Sequence, residues 1–459
     1  MSPRIADERA IKESVLSKGA GGFKFCLCCA NAALPSNDAR LPDPTGYLTP
    51  GDNPDASAFQ PMTSSLLKGI QTRLREAKQA MGPDDFKELE LEFGFSYNQF
   101  SVLQDPILNV DLVATFTWDW CHCLVISGAL NNELWLAMKV FSKSGVTAAD
   151  LDSYLNLYTW PQCYARPPVM VECFNKDGEK LKATASELIS LVPVLAVWLQ
   201  RVVAPRLREE HKPVLRSLLL LCRVIQLCTV AGLPGRIDPA AMTEAVSAYL
   251  GAHNDAYGAA FWVPKMHFII HLGAMLAVHG LLLNTLVCER KHKEVKRLAT
   301  GRTNTTSYDL GMLKEMTVQH ISELSIPLVF CGLLRPYPMP KNRLDALKQL
   351  VDIGNAKCLT SATCMANARR ISHGDVCTFS HEGSFSVGEV YVFFSVGEGG
   401  EALALVNHWN VQRRVSDAEY KVLVMNRLLI IRCSDIITSV IHSQTSVGGV
   451  STVLRPIGY

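Results

Sequence analysis

The segment 265–297 reads KMHFIIHLGAMLAVHGLLLNTLVCERKHKEVKR, and its character changes abruptly at Glu289. The 21 residues 268–288 contain no Asp, Glu, Lys or Arg, whereas the nine residues 289–297 contain seven charges and a histidine. A charge-free run of 21 residues is long enough to span a bilayer. Its two histidines, one asparagine and two glycines argue against that, because polar groups are costly in hydrocarbon. We therefore expect a buried helix, a turn near His279–Gly280 and a second apolar segment, without a membrane span.

The composition of the chain is that of a globular protein. Its 459 residues suggest two or three domains, with 48% hydrophobic and 19% charged residues. A net charge of +2 excludes a globally basic protein, so any contact with nucleic acid must be local. The 15 cysteines and a charged N-terminus without a signal peptide predict reduced intracellular thiols and no secretion.

The hydrophobic pattern predicts an α+β protein. Apolar residues recur with helical spacing from Ser64 onwards, and a helix start is expected at Pro83–Asp84. After about residue 370 the chain consists of short β-branched runs broken by glycine turns, which is typical of a small antiparallel sheet or barrel. The predicted organisation is an N-terminal segment with a C-x-x-C turn (1–30), a proline-rich loop (31–63), a helical body (64–350), a linker (351–372) and a small SH3-like or BAH-like β-barrel (373–459).

Two cysteines near the N-terminus have the spacing of half a zinc site. Cys26 and Cys29 form a C-x-x-C pair, but no further Cys or His follows until Cys121. The pair is therefore either structural thiols or an incomplete Zn²⁺ site, which Cys121–Cys123 can complete only if the fold brings them back. His267 and His271 have a metal-competent i, i+4 spacing, but core or capping histidines are the favoured interpretation.

Asp119 and His122 lie three residues apart, on one face of a helix. They can share a divalent metal ion, or the aspartate can orient a partly buried histidine. Further along, a cluster of basic residues surrounds two acids just past Cys288, and it suits either phosphate contacts or simple solvation. Its members are Arg290, Lys291, His292, Lys293, Lys296 and Arg297.

These patterns occur in an order that resembles the transposases of CACTA-type cut-and-paste DNA transposons, in a divergent form like those of dinoflagellate genomes. Together they cover about residues 5–300. Four landmarks carry the resemblance: Asp7, Ala10, Lys18, Gly19, Gly22, Cys26 and Cys29; Gly94–Asn98 followed by Asp119–His122; Lys265, His267 and His271; and the box VCERKHKEVKR at 287–297.

The resemblance implies a nuclear, DNA-binding protein with an RNase H-like core, of which residues 1–30 would be a remnant. By family analogy, Asp7 and Glu289 hold Mg²⁺ ions that activate water or a DNA 3′-hydroxyl. Asp119 and His122 match the family's additional D-x-x-H motif. No membrane partner and no small-molecule substrate is implied.

One departure from the family pattern concerns its first acid. That acid lies on a strand upstream of the second acid, yet only six residues, MSPRIA, precede Asp7. We therefore expect an N-terminally truncated, catalytically inactive relative of a DDE transposase. Two other functions stay open: a DNA- or chromatin-binding scaffold that uses the β module for contacts, and an unrelated metal-dependent enzyme built on His267, His271 and Glu289.

Overall fold

The computed structural model describes most of the chain, with gaps. The described residues are 4–6, 15–33, 56–101, 111–174, 181–258, 261–286, 295–297, 299–300, 308–325, 331–351, 353–354, 356–367, 369–397, 399–415, 419–443 and 450–454. The chain divides into two compact units, which are described separately. Unit 1 comprises residues 1–148 and 169–290, and unit 2 comprises residues 149–168 and 291–457.

Unit 1 is mainly helical. Its α-helices are α1 (Ser64–Ala80), α2 (Pro83–Phe93), α3 (Leu112–Thr115), α4 (Trp120–Leu124), α5 (Ala129–Ser142), α7 (Met170–Phe174), α8 (Ala185–Trp198), α9 (Lys212–Val230), α10 (Pro239–Tyr257), α11 (Pro264–Phe268) and α12 (Leu272–His279), while α6 (Ala148–Leu155) begins at the boundary with unit 2. The predicted helix starts at Ser64 and Pro83 are confirmed. The side chain of Thr63 caps α1, and Pro83 occupies the first turn of α2, where its missing N–H costs nothing.

The core of unit 1 forms around α8, α9 and α10. Helix α8 starts at a capping box made by Thr184 and Glu187 and continues into a π-helical turn, Leu199–Val203. Two helical stretches, Ala185–Arg206 and Glu209–Val230, are apolar and long enough to cross a bilayer. In their apolar 18-residue segments, 56% and 67% respectively is buried inside the protein. Buried core helices share these properties, so length and composition alone are weak grounds for a membrane span.

The charge-free run begins as expected. Its first residue, Phe268, is the last residue of α11, and a 3₁₀ turn (Ile269–His271) and α12 follow; α12 is capped by Gly280, which has φ of 72°. Glycine adopts this left-handed conformation at little cost, so the helix stops there.

Unit 1 also contains a small parallel sheet. Strand β1 (Arg4–Ala6) pairs with β2 (Phe116–Trp118), and Ala6 lies opposite Trp118. The expected RNase H-like core is not shown among the described residues, in which β1 and β2 form a sheet of two strands.

Unit 2 is dominated by antiparallel strands, accompanied by two helices, α13 (Tyr308–Ser325) and α14 (Lys341–Leu350). Its strands are β3 (Tyr158–Thr159), β4 (Gly332–Leu333), β5 (Tyr337–Pro338), β6 (Cys358–Ser361), β7 (Thr363–Ala366), β8 (Arg369–Ser372), β9 (Val376–His381), β10 (Ser384–Val396), β11 (Leu403–Arg414), β12 (Glu419–Arg432), β13 (Ile436–Ser439), β14 (Ile441–Ser443) and β15 (Val450–Leu454). The largest sheet runs β13-β9-β10-β11-β12-β15-β14-β3, with β6 on β10 and β5 on β6.

This sheet is not closed, and the expected barrel must be corrected to an open antiparallel sheet. Within the described strands, β13 and β3 stand at opposite ends of the hydrogen-bonded order. The end strand β3 belongs to the segment 149–168, far from the other strands in sequence. Residues 351–372, expected as a linker, instead contain β6, β7 and β8. Strand β7 pairs with β4 on one side and β8 on the other, in a separate three-stranded sheet.

The aromatic residues of unit 2 differ in their burial. Phe393 and Phe394 are fully buried, and Trp409 is 3% exposed, whereas Tyr391 is 41% exposed. Trp409 is therefore part of the core and does not form an exposed groove.

Candidate metal centre

The C-x-x-C turn is held in place by backbone hydrogen bonds to the segment before α1. Met62 N–H donates to the Cys28 carbonyl over 2.9 Å, and Ala30 N–H donates to the Gln60 carbonyl over 2.8 Å. Inside the turn, the Cys28 N–H donates to the Cys26 sulfur over 3.3 Å. Both Cys26 and Cys29 are buried, so the turn presents two sulfur atoms to the interior of unit 1.

The two histidines of the K-x-H-x-x-x-H motif lie on α11 and on the 3₁₀ turn that follows it. Phe25 and Phe59 contact the His267 ring edge-on, with ring centroids 5.1 and 4.6 Å away. The neighbouring Phe268 stacks on Trp118 at 3.7 Å, which fixes α11 against β2. The aromatic contacts therefore determine where the imidazole of His267 lies.

The four side chains converge on one point. One ligand atom from each of Cys26, Cys29, His267 and His271 lies within 4.8 Å of those from the others. The Nε2 atom of His271 is 3.3 Å from the Cys26 sulfur and 3.4 Å from the Cys29 sulfur. In a tetrahedral zinc site, ordinary bond lengths put sulfur and nitrogen ligands about 3.5 Å apart. The four residues thus form a buried cluster that could hold a metal ion.

His267 provides an independent indication of a ligand. Its side chain is fully buried, and neither ring nitrogen has a hydrogen-bond partner within the described part of the chain. Leaving a buried polar group unpaired costs about 1–3 kcal/mol. A metal ion bound to one nitrogen would remove part of this cost.

Burial controls the protonation of the cluster. It lowers the pKa of His267 well below the ordinary value, with a further contribution from His271, and it also lowers the pKa of His271. Burial raises the pKa of the Cys26 thiol. Both imidazoles are therefore in the neutral form that binds metals, whereas Cys26 must release a proton when a metal ion binds.

The sequence identified only half of this cluster. The C-x-x-C spacing indicates Cys26 and Cys29 as candidate metal ligands, whereas core or capping histidines are the favoured interpretation of His267 and His271. The structure corrects that interpretation, because both histidines join the cysteine pair, and Cys121, His122 and Cys123 are not members of the cluster. The available signal was the i, i+4 spacing of two histidines in a charge-free segment.

Asp119 forms a second buried polar group in unit 1. Its Oδ1 accepts from the Cys121 N–H at 2.9 Å and caps α4, and its Oδ2 lies 2.5 Å from His122 Nδ1. Thr285 donates to the same Oδ2 through its hydroxyl at 2.5 Å and its N–H at 3.3 Å. Burial alone would raise the pKa of Asp119, but the hydrogen bonds from His122 and Thr285 outweigh it and lower the pKa below its ordinary value. This geometry favours an aspartate that orients a histidine.

The remaining predicted site residues are mostly not placed. Asp7, Glu289, Arg290, Lys291, His292 and Lys293 lie outside the described residues. Lys296 and Arg297 are described, are helical and are exposed. Of the acids expected to bind or flank Mg²⁺, only Asp119 is described, and both of its oxygens accept hydrogen bonds, so Mg²⁺ has no support here.

Comparisons with protein-family models, curated proteins and solved structures found no match to this chain.

Proposed function

We propose that this chain is a transposase-derived DNA-binding protein whose N-terminal segment is fastened to its helical body by one Zn²⁺ ion. The observation that carries the proposal is that three landmarks of the family resemblance, distant in sequence, are in mutual contact in unit 1. The first landmark contacts the third through the Cys26, Cys29, His267 and His271 cluster.

Hydrogen bonds also join the first landmark to the second, and the third landmark to residues that follow the second. The Lys18 N–H of the first landmark donates to the Gly94 carbonyl of the second over 2.8 Å. The Lys265 ammonium of the third donates to the carbonyls of Ile126 and Ser127, just past the D-x-x-H motif, over 2.9 and 3.1 Å. An ordered set of motifs that also forms one contact network supports the resemblance more strongly than the motifs alone.

Zinc is the metal that fits the cluster best. Two thiolates and two neutral imidazoles in a tetrahedral arrangement are a common Zn²⁺ ligand set, whereas Mg²⁺ requires oxygen ligands. A site with four protein ligands leaves no coordination position for water or substrate. The ion would therefore be structural, which argues against a metal-dependent enzyme that uses His267 and His271 for catalysis.

The basic cluster 290–297 is the proposed contact with DNA. Phosphate contacts by Lys and Arg supply most of the sequence-independent affinity for a duplex, and they make binding salt-dependent. Lys296 and Arg297 are exposed on a helical turn, so both can reach a phosphate without unfolding the chain.

Salt-dependent binding to duplex DNA tests this part of the proposal. We expect Lys296→Glu/Arg297→Glu to weaken binding and to reduce the slope of log affinity against log salt by about 2, because each lost phosphate contact removes about one unit. The matched control is Lys341→Glu/Lys348→Glu, which reverses two exposed charges on α14 and should change the slope much less. Equal effects of the two pairs, or an unchanged slope in the first, would refute the assigned DNA contact.

A further inference from the structure

Three cysteines of unit 2 lie together at the edge of its smaller sheet. Cys364 is on β7, Cys433 begins the 3₁₀ turn Cys433–Asp435, and Cys331 directly precedes β4. Cys364 and Cys433 are fully buried in one hydrophobic cluster, whereas Cys331 is exposed. The group has no part in the zinc or DNA contacts proposed above.

Backbone pairing brings these residues together. Leu333 lies opposite Cys364 in the antiparallel β4-β7 pair, and Cys331 is two residues before Leu333. Residues two apart on a strand face the same side of the sheet. Continuing the register by one residue beyond Gly332 makes Cys331 a diagonal neighbour of Cys364.

Cys364 and Cys433 lie in the same buried cluster, and Asn367, just after β7, donates to the Ser434 and Ile436 carbonyls over 3.1 and 2.8 Å, which holds the turn with Cys433 against β7. The side chain of Cys433 is hydrogen-bonded to that of Cys364, which lowers the pKa of Cys364 and raises that of Cys433. The Cys433 N–H also donates to the Ala402 carbonyl over 2.9 Å, which fixes the turn that carries it. The Cys364 thiol also donates to the Met365 carbonyl over 3.1 Å, so a second sulfur lies beside a buried, hydrogen-bonded thiol.

We propose that Cys331, Cys364 and Cys433 form an oxidative modification site at which a hydroperoxide produces a Cys364–Cys433 disulfide. The exposed Cys331 thiolate attacks the peroxide, so that the O–O bond breaks, an alcohol or water leaves and Cys331 becomes a sulfenic acid. The Cys364 sulfur then attacks the Cys331 sulfur and forms a Cys331–Cys364 disulfide, while its thiol proton passes to the departing hydroxide, which leaves as water. Cys433 finally attacks the Cys364 sulfur and releases Cys331, to which its proton passes.

The product joins two sheets of unit 2. Cys364 belongs to the β4-β7-β8 sheet, and Cys433 directly follows β12 of the large sheet. A covalent link at this point constrains the unfolded chain and stabilises unit 2. Burial raises the pKa of Cys331, so the first step accelerates as the pH rises above neutral and more thiolate forms.

Peptide mapping by mass spectrometry after treatment of the full chain with hydrogen peroxide tests the site. We expect a linked Cys364–Cys433 peptide that has lost two hydrogen atoms, that disappears with dithiothreitol and that forms at least tenfold more slowly in Cys331→Ser. Cys358→Ser removes a buried thiol elsewhere in unit 2 and should leave the rate unchanged.

Mapping also separates this reaction from oxidation of the Cys26–Cys29 turn, because the two products lie in different peptides. Absence of the Cys364–Cys433 link in wild-type protein that circular dichroism shows to be folded would overturn the proposal. An equal rate in Cys331→Ser would overturn the role of Cys331 as the entry thiol.

Discussion

At the scale of single residues, Asp119 connects three parts of unit 1 through hydrogen bonds. The carboxylate caps α4, holds the His122 ring and accepts two hydrogen bonds from Thr285, all with its side chain fully buried. A buried carboxylate with this many donors is stable as an anion. Asp119 therefore determines the orientation of the His122 ring.

This role predicts a pH-dependent loss of stability on replacement. We expect Asp119→Asn to lower the free energy of unfolding by about 2–4 kcal/mol at pH 7, because a charged acceptor of buried hydrogen bonds is lost. Since the pKa of Asp119 is lowered in the folded state, its contribution is present above the ordinary pKa of 3.8 and disappears as the pH falls through the lower folded value.

Urea unfolding of both proteins between pH 7 and pH 3 measures the effect. The difference between wild type and Asp119→Asn should shrink toward the acidic end. A difference that stays constant over this range would mean that Asp119 is not held as an anion in the folded protein.

Residue patterns revealed the ligands of the metal centre unevenly. The C-x-x-C spacing is local, and it identified Cys26 and Cys29 directly. The contact between Cys29 and His271 joins residues 242 positions apart, and no local spacing encodes such a pairing. The lack of any hydrogen-bond partner for His267 is a property of the folded core, so only the structure could reveal it.

At the scale of elements, the end of α2 determines how the N-terminal segment packs. Gly94 ends the helix with φ of 73°. A Cβ atom built at Gly94 would overlap the Lys24 carbonyl, so the two backbone segments fit together only because residue 94 has no side chain. Gly145 has nearly the same φ, 74°, but faces open space.

This contrast gives a matched pair of substitutions. Gly145→Ala should destabilise the protein by about 1–2 kcal/mol, the ordinary cost of a side chain in the left-handed region. Gly94→Ala should destabilise the protein by about 1–3 kcal/mol more than Gly145→Ala, because the new methyl group forces the Lys24 segment to move. Chemical denaturation provides the comparison, and equal losses at the two positions would show that the close packing at Gly94 is absent.

Elements with a strong local signal were predicted from the sequence, and those set by distant pairing were not. Helices α1, α8 and α10 begin at the side-chain caps of Thr63, Thr184 and Asp238, which are local in the sequence. Strands β1 and β3 contain three and two residues, too few for a period-2 pattern to be visible. Because β3 comes from the segment 149–168, the open form of the large sheet could not be inferred from its C-terminal strands.

At the scale of the whole molecule, the metal is expected to stabilise one unit only. All four ligands belong to unit 1, whereas unit 2 has its own hydrophobic clusters. Removing the ion should therefore raise the rate of amide hydrogen exchange in residues 15–33 and 261–280. The exchange rates in strands β9–β12 should stay unchanged. Exchange mass spectrometry with and without a chelator makes this comparison, and similar deprotection of both units would contradict it.

The zinc content of the protein purified without chelators tests the central claim most directly. Inductively coupled plasma mass spectrometry should find one zinc ion per chain in the wild type. The same content is expected for His320→Gln, which replaces an exposed histidine outside the cluster. His267→Gln and His271→Gln should each lose most of the metal, because a three-ligand remnant binds zinc weakly. A metal-free wild type, or full zinc occupancy in His267→Gln, would contradict the account of how this chain is held together.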